Sequence, residues 1–150
     1  MAEFQLGSIS TGTLRTEDLL PKFAHALLAI VTDNEQYELE MVEDALNGRI
    51  KRTGVDTRTA VGLLDDIQDS LNQYCPPFVY FGTLEGDGAD FGFWVDRDAI
   101  QEAIDPTSCL VRINANGDYV LEEDGVIVQV SDHGRVTVMD MERNILWSVV

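Results

Sequence analysis

Apolar and polar positions in the first half of the chain follow the period of an α-helix. One apolar face comprises Leu20, Phe23, Ala24, Leu27, Leu28 and Val31, and this spacing predicts an amphipathic helix. Thr16 is the expected N-cap residue, with Glu17 and Asp18 at the positive end of the helix dipole. Because Pro21 lacks a backbone N–H, the alternative is that the main helix begins at Pro21, after a turn over residues 16–20.

Two further helices are predicted before the middle of the chain. One runs from Glu35 to Leu46 and ends at Asn47-Gly48, because glycine favours the conformation that terminates a helix. The other begins near Asp56 or Thr57 and ends before Pro76-Pro77, since proline cannot continue the hydrogen-bond ladder. Its apolar stripe is Ala60, Leu63, Leu64, Ile67, Leu71 and Tyr74.

The second half has the short apolar runs and turn residues of β-structure. Aromatic runs at residues 78–81 and 91–95 flank a polar loop, Glu85–Asp90, which predicts a hairpin. A short helix is expected over Asp98–Ile104. The strands expected after it are Cys109–Ile113, Tyr119–Leu121, Val126–Val130, Val136–Met139 and Ile145–Val150. Asn-Gly and Asp-Gly pairs between these runs predict tight turns and a meander.

These elements predict an α+β protein, with N-terminal helices packed on a C-terminal antiparallel sheet, the meander. We expect one domain over residues 1–150, with a helical lobe at about 1–75 and a β lobe at about 76–150. A length of 150 residues suits a single domain.

Composition restricts the classes of function. The chain has 27 Asp and Glu against 10 Lys and Arg, a net charge of −17. Direct binding to nucleic acid or to an anionic membrane is therefore disfavoured by repulsion. No apolar run reaches the length of a membrane span, and the N-terminal residues lack a signal-peptide pattern. We expect a cytoplasmic protein without a cofactor. Cys75 and Cys109 are expected to be small core residues, and whether they pair stays open.

Two segments resemble a known group of proteins. Gly7-Ser-Ile-Ser-Thr-Gly-Thr-Leu-Arg-Thr-Glu-Asp-Leu-Leu20 is the first. The second comprises Pro76-Pro-Phe-Val-Tyr-Phe-Gly82 and Gly86-Asp-Gly-Ala-Asp-Phe-Gly-Phe-Trp94. Both are similar to small accessory proteins of bacteriophages and mobile elements, a group without an assigned activity. The resemblance implies a phage-encoded protein that acts in the host cytoplasm, and such proteins often inhibit host defence.

The loop Glu85–Asp90 is the candidate for metal binding or hydrolysis. Glu85, Asp87 and Asp90 offer hard oxygen ligands, and Tyr80 and Trp94 are aromatic residues on which a sugar could stack. The spacing fails the pattern of an EF-hand loop, and the alternative is a solvated hairpin tip. Ser131-Asp132-His133 is interpreted as a turn, because adjacent residues do not assemble a catalytic triad. No catalytic residue is assigned.

Clusters of acidic residues carry the remaining functional signal. They are a helix cluster (Glu35, Glu38, Glu40, Glu43, Asp44), a second helix cluster (Asp65, Asp66, Asp69) and a C-terminal group (Asp118, Glu122, Glu123, Asp124, Asp132). Each is expected either to solubilise the protein or to bind a basic partner. The preferred surface is the stretch from Arg112 to Arg135. The aromatic hairpin (Tyr80, Phe81, Phe91, Phe93, Trp94) could add an apolar anchor.

The function predicted from these observations is binding to the basic surface of a host protein or nucleoprotein complex. The expected class is an inhibitor of a nucleic-acid-binding defence complex, of the anti-CRISPR or anti-restriction type, possessing surfaces that mimic nucleic acid. A metal-binding or hydrolytic module at Glu85, Asp87 and Asp90 is one alternative. A structural or regulatory assembly protein is the other.

Overall fold

The computed structural model describes residues 3–31, 39, 40, 42, 43, 45 and 57–150, with the backbone alone at 57–60. The helices are α1 (Thr16–Ile30), α2 (Thr57–Gln73) and α3 (Arg97–Ala103). The strands are β1 (Gly7–Ser10), β2 (Val79–Leu84), β3 (Asp87–Val95), β4 (Val111–Ile113), β5 (Tyr119–Leu121), β6 (Val126–Val130), β7 (Val136–Asp140) and β8 (Ile145–Val149). The fold class is α+β, as predicted.

The chain divides into two compact units. The helical unit comprises residues 7–75 and 80–94, and the meander unit comprises residues 1–6, 76–79 and 95–150. The boundary differs from the predicted division near residue 75, because most of β2 and β3 belongs with the helices. The reason is visible within the helical unit, where Phe23 of α1 packs edge-on against the ring of Phe81 in β2, with ring centroids 4.9 Å apart.

Helix α1 is continuous through its proline. It begins at Thr16, so Arg15 rather than Thr16 is the N-cap residue, and Pro21 lies inside the helix. Thr13 Oγ1 instead donates to Asp18 Oδ2 at 2.8 Å and ties the preceding segment to the first turn. The predicted face is buried at Leu20, Phe23, Ala24 and Leu27, together with Leu19. Two members of the face differ: Leu28 is 47% exposed, and Val31 is half-buried at the C-cap position just after the helix.

Helix α2 begins at Thr57, as predicted, and packs against α1. Ile67 and Leu71 of the predicted stripe are fully buried. The helix predicted over residues 35–46 falls largely outside the described residues. Residues 39, 40, 42, 43 and 45 are helical, and Val42 and Ala45 are buried.

The sheet of the helical unit has the strand order β1-β3-β2. The loop predicted over Glu85–Asp90 is shorter than expected, because residues 87–90 already belong to β3 and only Glu85 and Gly86 form the turn. Gly86 has a φ of 89°, which a glycine adopts without steric cost. The side chain of Asn72 in α2 accepts from the Phe81 N–H and donates to the Phe81 carbonyl, both at 2.9 Å. One amide thus satisfies both backbone groups of an edge-strand residue.

The meander unit contains a five-stranded antiparallel sheet in the order β4-β5-β6-β7-β8. This is the predicted meander. Its turns place Gly117, Gly125 and Gly134 at positive φ. The β7–β8 turn has the same feature at Arg143, with a φ of 69°. Side chains that begin these turns also stabilise them, as where Asp140 Oδ1 accepts from the Asn144 N–H at 2.9 Å.

Both faces of the meander carry buried residues. Strand pairing places Val128, Val138 and Trp147 in one row, and each is fully buried. The Trp147 Nε1–H donates to the carbonyl of Pro77 at 2.9 Å, which satisfies its buried polar atom. Val120, Ile127 and Met139 are adjacent on the opposite face. Among the residues described, no helix has the length and hydropathy needed to cross a membrane.

Candidate functional site

The Asp cluster of α2 (Asp65, Asp66 and Asp69) lies on the side of the helix opposite its core contacts. All three side chains are exposed, while Ile67 and Leu71 face the interior. Asp65 and Asp69 are one helical turn apart, so the carboxylates lie close together along the helix. None of the three forms an ion pair with any residue in the described part of the chain.

Such a cluster costs stability rather than adding it. Like charges four residues apart on a helix repel each other by about 0.2–0.5 kcal/mol. The cluster also lies past the first turn of α2, so the dipole at the helix N-terminus does not compensate it. Helix stability therefore does not explain this arrangement of carboxylates.

The preferred stretch from Arg112 to Arg135 is less uniformly acidic than its sequence indicates. Asp118 is 3% exposed and belongs to the β4–β5 turn, so it is not part of an exposed acidic surface. Its Oδ2 accepts from Asn114 Nδ2 at 3.3 Å and lies 3.8 Å from Arg143 NH2. The Asp118 N–H donates to Asn114 Oδ1 at 3.0 Å. This carboxylate thus stabilises a turn and has partners within the chain.

Arg143 reaches Asp118 across the sheet. Asp118 precedes β5 and Arg143 follows β7, at opposite ends of the strands. Because alternate residues of a strand share a face, Asp118 lies on the face of Val120 and Ile127. The Arg143 guanidinium therefore approaches the Asp118 carboxylate from a turn that lies far away in the sequence.

The negative charge of Glu122 is balanced by Arg112. Its Oε1 accepts from Arg112 NH2 at 3.0 Å, and both side chains are largely exposed. Of the five acidic residues predicted in this stretch, Glu123, Asp124 and Asp132 remain as exposed carboxylates without a basic partner among the residues described. Glu123 and Asp124 lie in the β5–β6 turn, and Asp132 lies in the β6–β7 turn.

The first acidic helix cluster falls mainly outside the described residues. Glu35, Glu38 and Asp44 lie there, whereas Glu40 and Glu43 are exposed and helical.

A cavity of about 280 Å³ lies beside the β5–β6 turn in the meander unit. Its lining residues are Ala99, Glu102, Ala103, Ser108, Leu110, Leu121, Glu123 and Asp124. Helix α3 is positioned here by Asp96, whose side chain accepts from the Ala99 N–H at 3.0 Å. The sequence pattern does not predict this cavity, because its walls come from segments about twenty residues apart in the chain.

The acidic hairpin does not gather its carboxylates. The Asp90 Oδ1 accepts from Ser8 Oγ of the neighbouring strand, and Asp87 Oδ1 accepts from the Ala89 N–H at 3.1 Å. Asp87 and Asp90 are an odd number of residues apart in β3, so their side chains leave opposite faces. Within the described ranges, no three His, Cys, Asp or Glu side chains are arranged to hold a metal ion. The described residues therefore show no three-ligand metal site at this hairpin, and Asp87 and Asp90 do not face each other as a pair.

Two of the five aromatic residues of this hairpin, Phe81 and Phe93, belong to the core of the helical unit, and Tyr80, Phe91 and Trp94 are half-buried. Phe81 and Phe93 are buried, with ring centroids 5.0 Å apart, and Phe91 packs on Phe23 at 5.2 Å. The Trp94 Nε1–H donates to the Gly82 carbonyl at 3.0 Å. Phe81 and Phe93 therefore contribute to folding, and neither is available as an exposed apolar anchor.

The two cysteines differ in environment. Cys75 is half-buried and donates to the Leu71 carbonyl at 3.3 Å, and burial raises the pKa of its thiol to about 11. The prediction that Cys109 is a core residue is wrong, because it is exposed just before β4. Both thiols are free. The Ser131-Asp132-His133 segment is a turn, as interpreted, in which Ser131 Oγ accepts from the Arg135 N–H at 3.1 Å.

Comparisons with protein-family models, with curated proteins and with solved structures find no match to this chain.

Proposed function

We propose that this protein is an acidic protein-binding module that covers a basic, nucleic-acid-binding surface of another protein. The observation that carries the proposal is the Asp cluster of α2. Asp65, Asp66 and Asp69 are exposed, lie on one side of the helix and have no ion-pair partner among the described residues. Their mutual repulsion is relieved when a cationic surface docks against them.

The density of charge in this cluster is comparable to that of a nucleic acid strand. Asp65 and Asp69 are about 6 Å apart along the axis of α2, at 1.5 Å per residue. Three negative charges lie within that length. A single strand of duplex DNA carries one charge per about 3.4 Å of axis. A groove lined with Arg and Lys to follow phosphates can therefore accept this helix face as a substitute.

The net charge of −17 adds a long-range electrostatic attraction between this protein and a basic partner. An opposite field on the partner accelerates encounter, and this acceleration declines as salt shortens the range of the field from about 10 Å at 0.1 M to about 3 Å at 1 M. The same charge disfavours direct binding to nucleic acid. The proposed module thus competes with nucleic acid for its partner.

The biological context within the proposal comes from the resemblance of residues 7–20 and 76–94 to phage accessory proteins. Under this proposal the chain is an inhibitor of a host nucleic-acid-binding defence complex, of the anti-CRISPR or anti-restriction type, and acts in the host cytoplasm. The structural-assembly alternative predicts self-association instead, which sedimentation of the purified protein measures directly.

The test begins with capture of host proteins on the immobilised chain at about 0.1 M salt and release at about 1 M salt. The captured protein is then purified, and displacement of labelled duplex DNA from it is measured. A variant with Asp65→Asn, Asp66→Asn and Asp69→Asn is expected to bind at least tenfold more weakly. The matched control carries Glu85→Gln, Asp132→Asn and Glu142→Gln, which alter charge equally at scattered exposed positions.

The control is expected to bind within about threefold of the unaltered chain, because its charges are not concentrated on one face. Equal weakening by both variants would mean that only net charge matters, and the α2 surface would be wrong. Binding without displacement of DNA would contradict competition for a nucleic-acid site. Absence of any salt-sensitive partner would contradict the proposed function itself.

A further inference from the structure

The cavity in the meander unit combines an apolar floor with an acidic rim. Ala99, Ala103 and Leu121 supply apolar wall, and Leu110 extends it as a side chain that is 56% exposed. At about 280 Å³, the space is far larger than the roughly 10–15 Å³ that a single water molecule needs. This is enough for one long side chain, but not for a folded segment.

Three carboxylates stand at the mouth of this cavity. Glu102 comes from α3, while Glu123 and Asp124 come from the β5–β6 turn. All three are exposed, and none forms an ion pair within the part of the chain that the structure describes. Two separate elements thus direct uncompensated negative charge around one apolar hollow.

We infer that this cavity receives an arginine side chain of the partner protein. The inference rests on the proposed function, since it names the second surface that the basic partner contacts. An arginine has an apolar stem and a charged head, which match the floor and the rim respectively. Its planar guanidinium has five N–H donors and can bind two carboxylates at once, whereas a lysine ammonium is a strongly hydrated point charge.

The probes are N-acetylarginine amide and N-acetylcitrulline amide, which have similar shape but differ in charge. Each is titrated into the isotope-labelled protein, and the backbone amide shifts are followed by NMR. The arginine probe is expected to shift the amides of Ala103, Leu121, Glu123 and Asp124 saturably. The citrulline probe is expected to bind at least tenfold more weakly, because it cannot form charge-assisted hydrogen bonds.

Two variants test the two halves of the cavity. Glu123→Gln with Asp124→Asn removes rim charge, and Ala103→Leu fills the floor. Each is expected to weaken binding of the arginine probe at least fivefold. Glu85→Gln with Glu142→Gln, two exposed positions outside the cavity and outside α2, is the charge-matched control and is expected to leave the affinity unchanged. Unperturbed amide shifts away from the substitutions establish that each variant is folded.

Two results would overturn the inference. One is equal binding of both probes, and the other is arginine-induced shifts spread over all acidic surfaces, including α2. The proposed function is tested separately by the natural partner. If the chain still displaces DNA from that partner, and only the α2 substitutions weaken this binding, the proposed function stands and the cavity is not the arginine site. If the cavity variants lose the probe while no partner exists, the cavity site stands and the proposed function does not.

Discussion

Replacement of Gly92 by alanine tests the close approach of β1 and β3. Gly92 is paired with Ser8, and a Cβ atom built on it would lie 2.2 Å from the carbonyl oxygen of Gly7 and 2.8 Å from Ser8 Cα. A carbon–oxygen contact normally lies near 3.3 Å. The strands would therefore separate by about 1 Å. Because both obstructing atoms belong to backbone, no side-chain rotation can relieve the overlap.

The expected cost follows from the pairing that is lost. β1 and β3 are in register at Gly7–Phe93, Ser8–Gly92 and Ser10–Phe91. Backbone hydrogen bonds contribute about 0.5–1.5 kcal/mol each, so loss of this pairing costs about 2–4 kcal/mol in the free energy of opening. At 1.4 kcal/mol per tenfold, the opening equilibrium shifts by about 30-fold to 1000-fold.

Amide hydrogen exchange measures this opening at the strands themselves, and urea unfolding measures any loss of global stability. Gly88→Ala is the control, because Gly88 also lies in β3 and a Cβ there meets nothing within 4 Å. Both substitutions restrict the unfolded chain equally, by about 0.4–1 kcal/mol. The difference between the variants therefore isolates the steric effect.

In Gly92→Ala, the amides of β1 and β3 are expected to exchange at least about 30-fold faster than in Gly88→Ala. The urea midpoint of Gly92→Ala is expected to be lower than that of Gly88→Ala. Exchange rates and midpoints that coincide in the two variants would refute the argument. Such a result would mean that β1 does not approach β3 as closely as the structure places it.

Further predictions concern an amide, a strained turn and the thiols. Asn72→Ala removes both bonds from the side chain to the β2 backbone and is expected to lower the free energy of unfolding by about 1–2 kcal/mol, measured in urea. Arg143→Ala and Arg143→Gly both lose the guanidinium near Asp118, but only alanine is strained by the positive φ of this position. Arg143→Gly is therefore expected to be about 1 kcal/mol more stable than Arg143→Ala. Iodoacetamide at pH 8 is expected to alkylate exposed Cys109 first, because the raised pKa of Cys75, about 11, leaves roughly 0.1% of it as thiolate. Since that folded-state pKa exceeds the ordinary thiol pKa of 9.0, the contribution of Cys75 to stability is present below pH 9 and is lost as pH rises toward 11.

Each of these predictions has a specific contradicting result. An unchanged urea midpoint for Asn72→Ala would show that water replaces the amide at no cost. Equal stability of Arg143→Gly and Arg143→Ala would remove the argument from backbone strain. Alkylation of Cys75 at the rate of Cys109, assigned by peptide mass, would show that the Cys75 thiol is accessible and readily ionised.

The local sequence of the meander determined most of its strands. Val126–Val130 was predicted with the observed bounds, because an apolar run is enclosed by glycine turns that permit positive φ. Helix α2 was likewise determined by its apolar stripe and by Pro76 after it. The β7–β8 turn had no such signal, since Arg143 occupies the conformation that glycine holds in the other turns.

Tertiary structure decided which acidic residues are available to a partner. In the sequence, Asp118 and Glu123 are equivalent carboxylates in polar turns. The first is buried beside Asn114 and Arg143, and the second is exposed at the cavity. Charge compensation depends on which side chains meet across strands, and periodicity along the chain does not carry that information.

The sequence by itself thus determined the fold class, the approximate positions of most described strands and helices, and the large negative charge, because these depend on local patterning and composition. Tertiary structure alone decided that β2 and β3 belong with the helices, that Gly92 must remain small, and that α3 and the β5–β6 turn enclose a cavity. Each of these depends on contacts between residues distant in the chain, whose distances are set only when the elements pack.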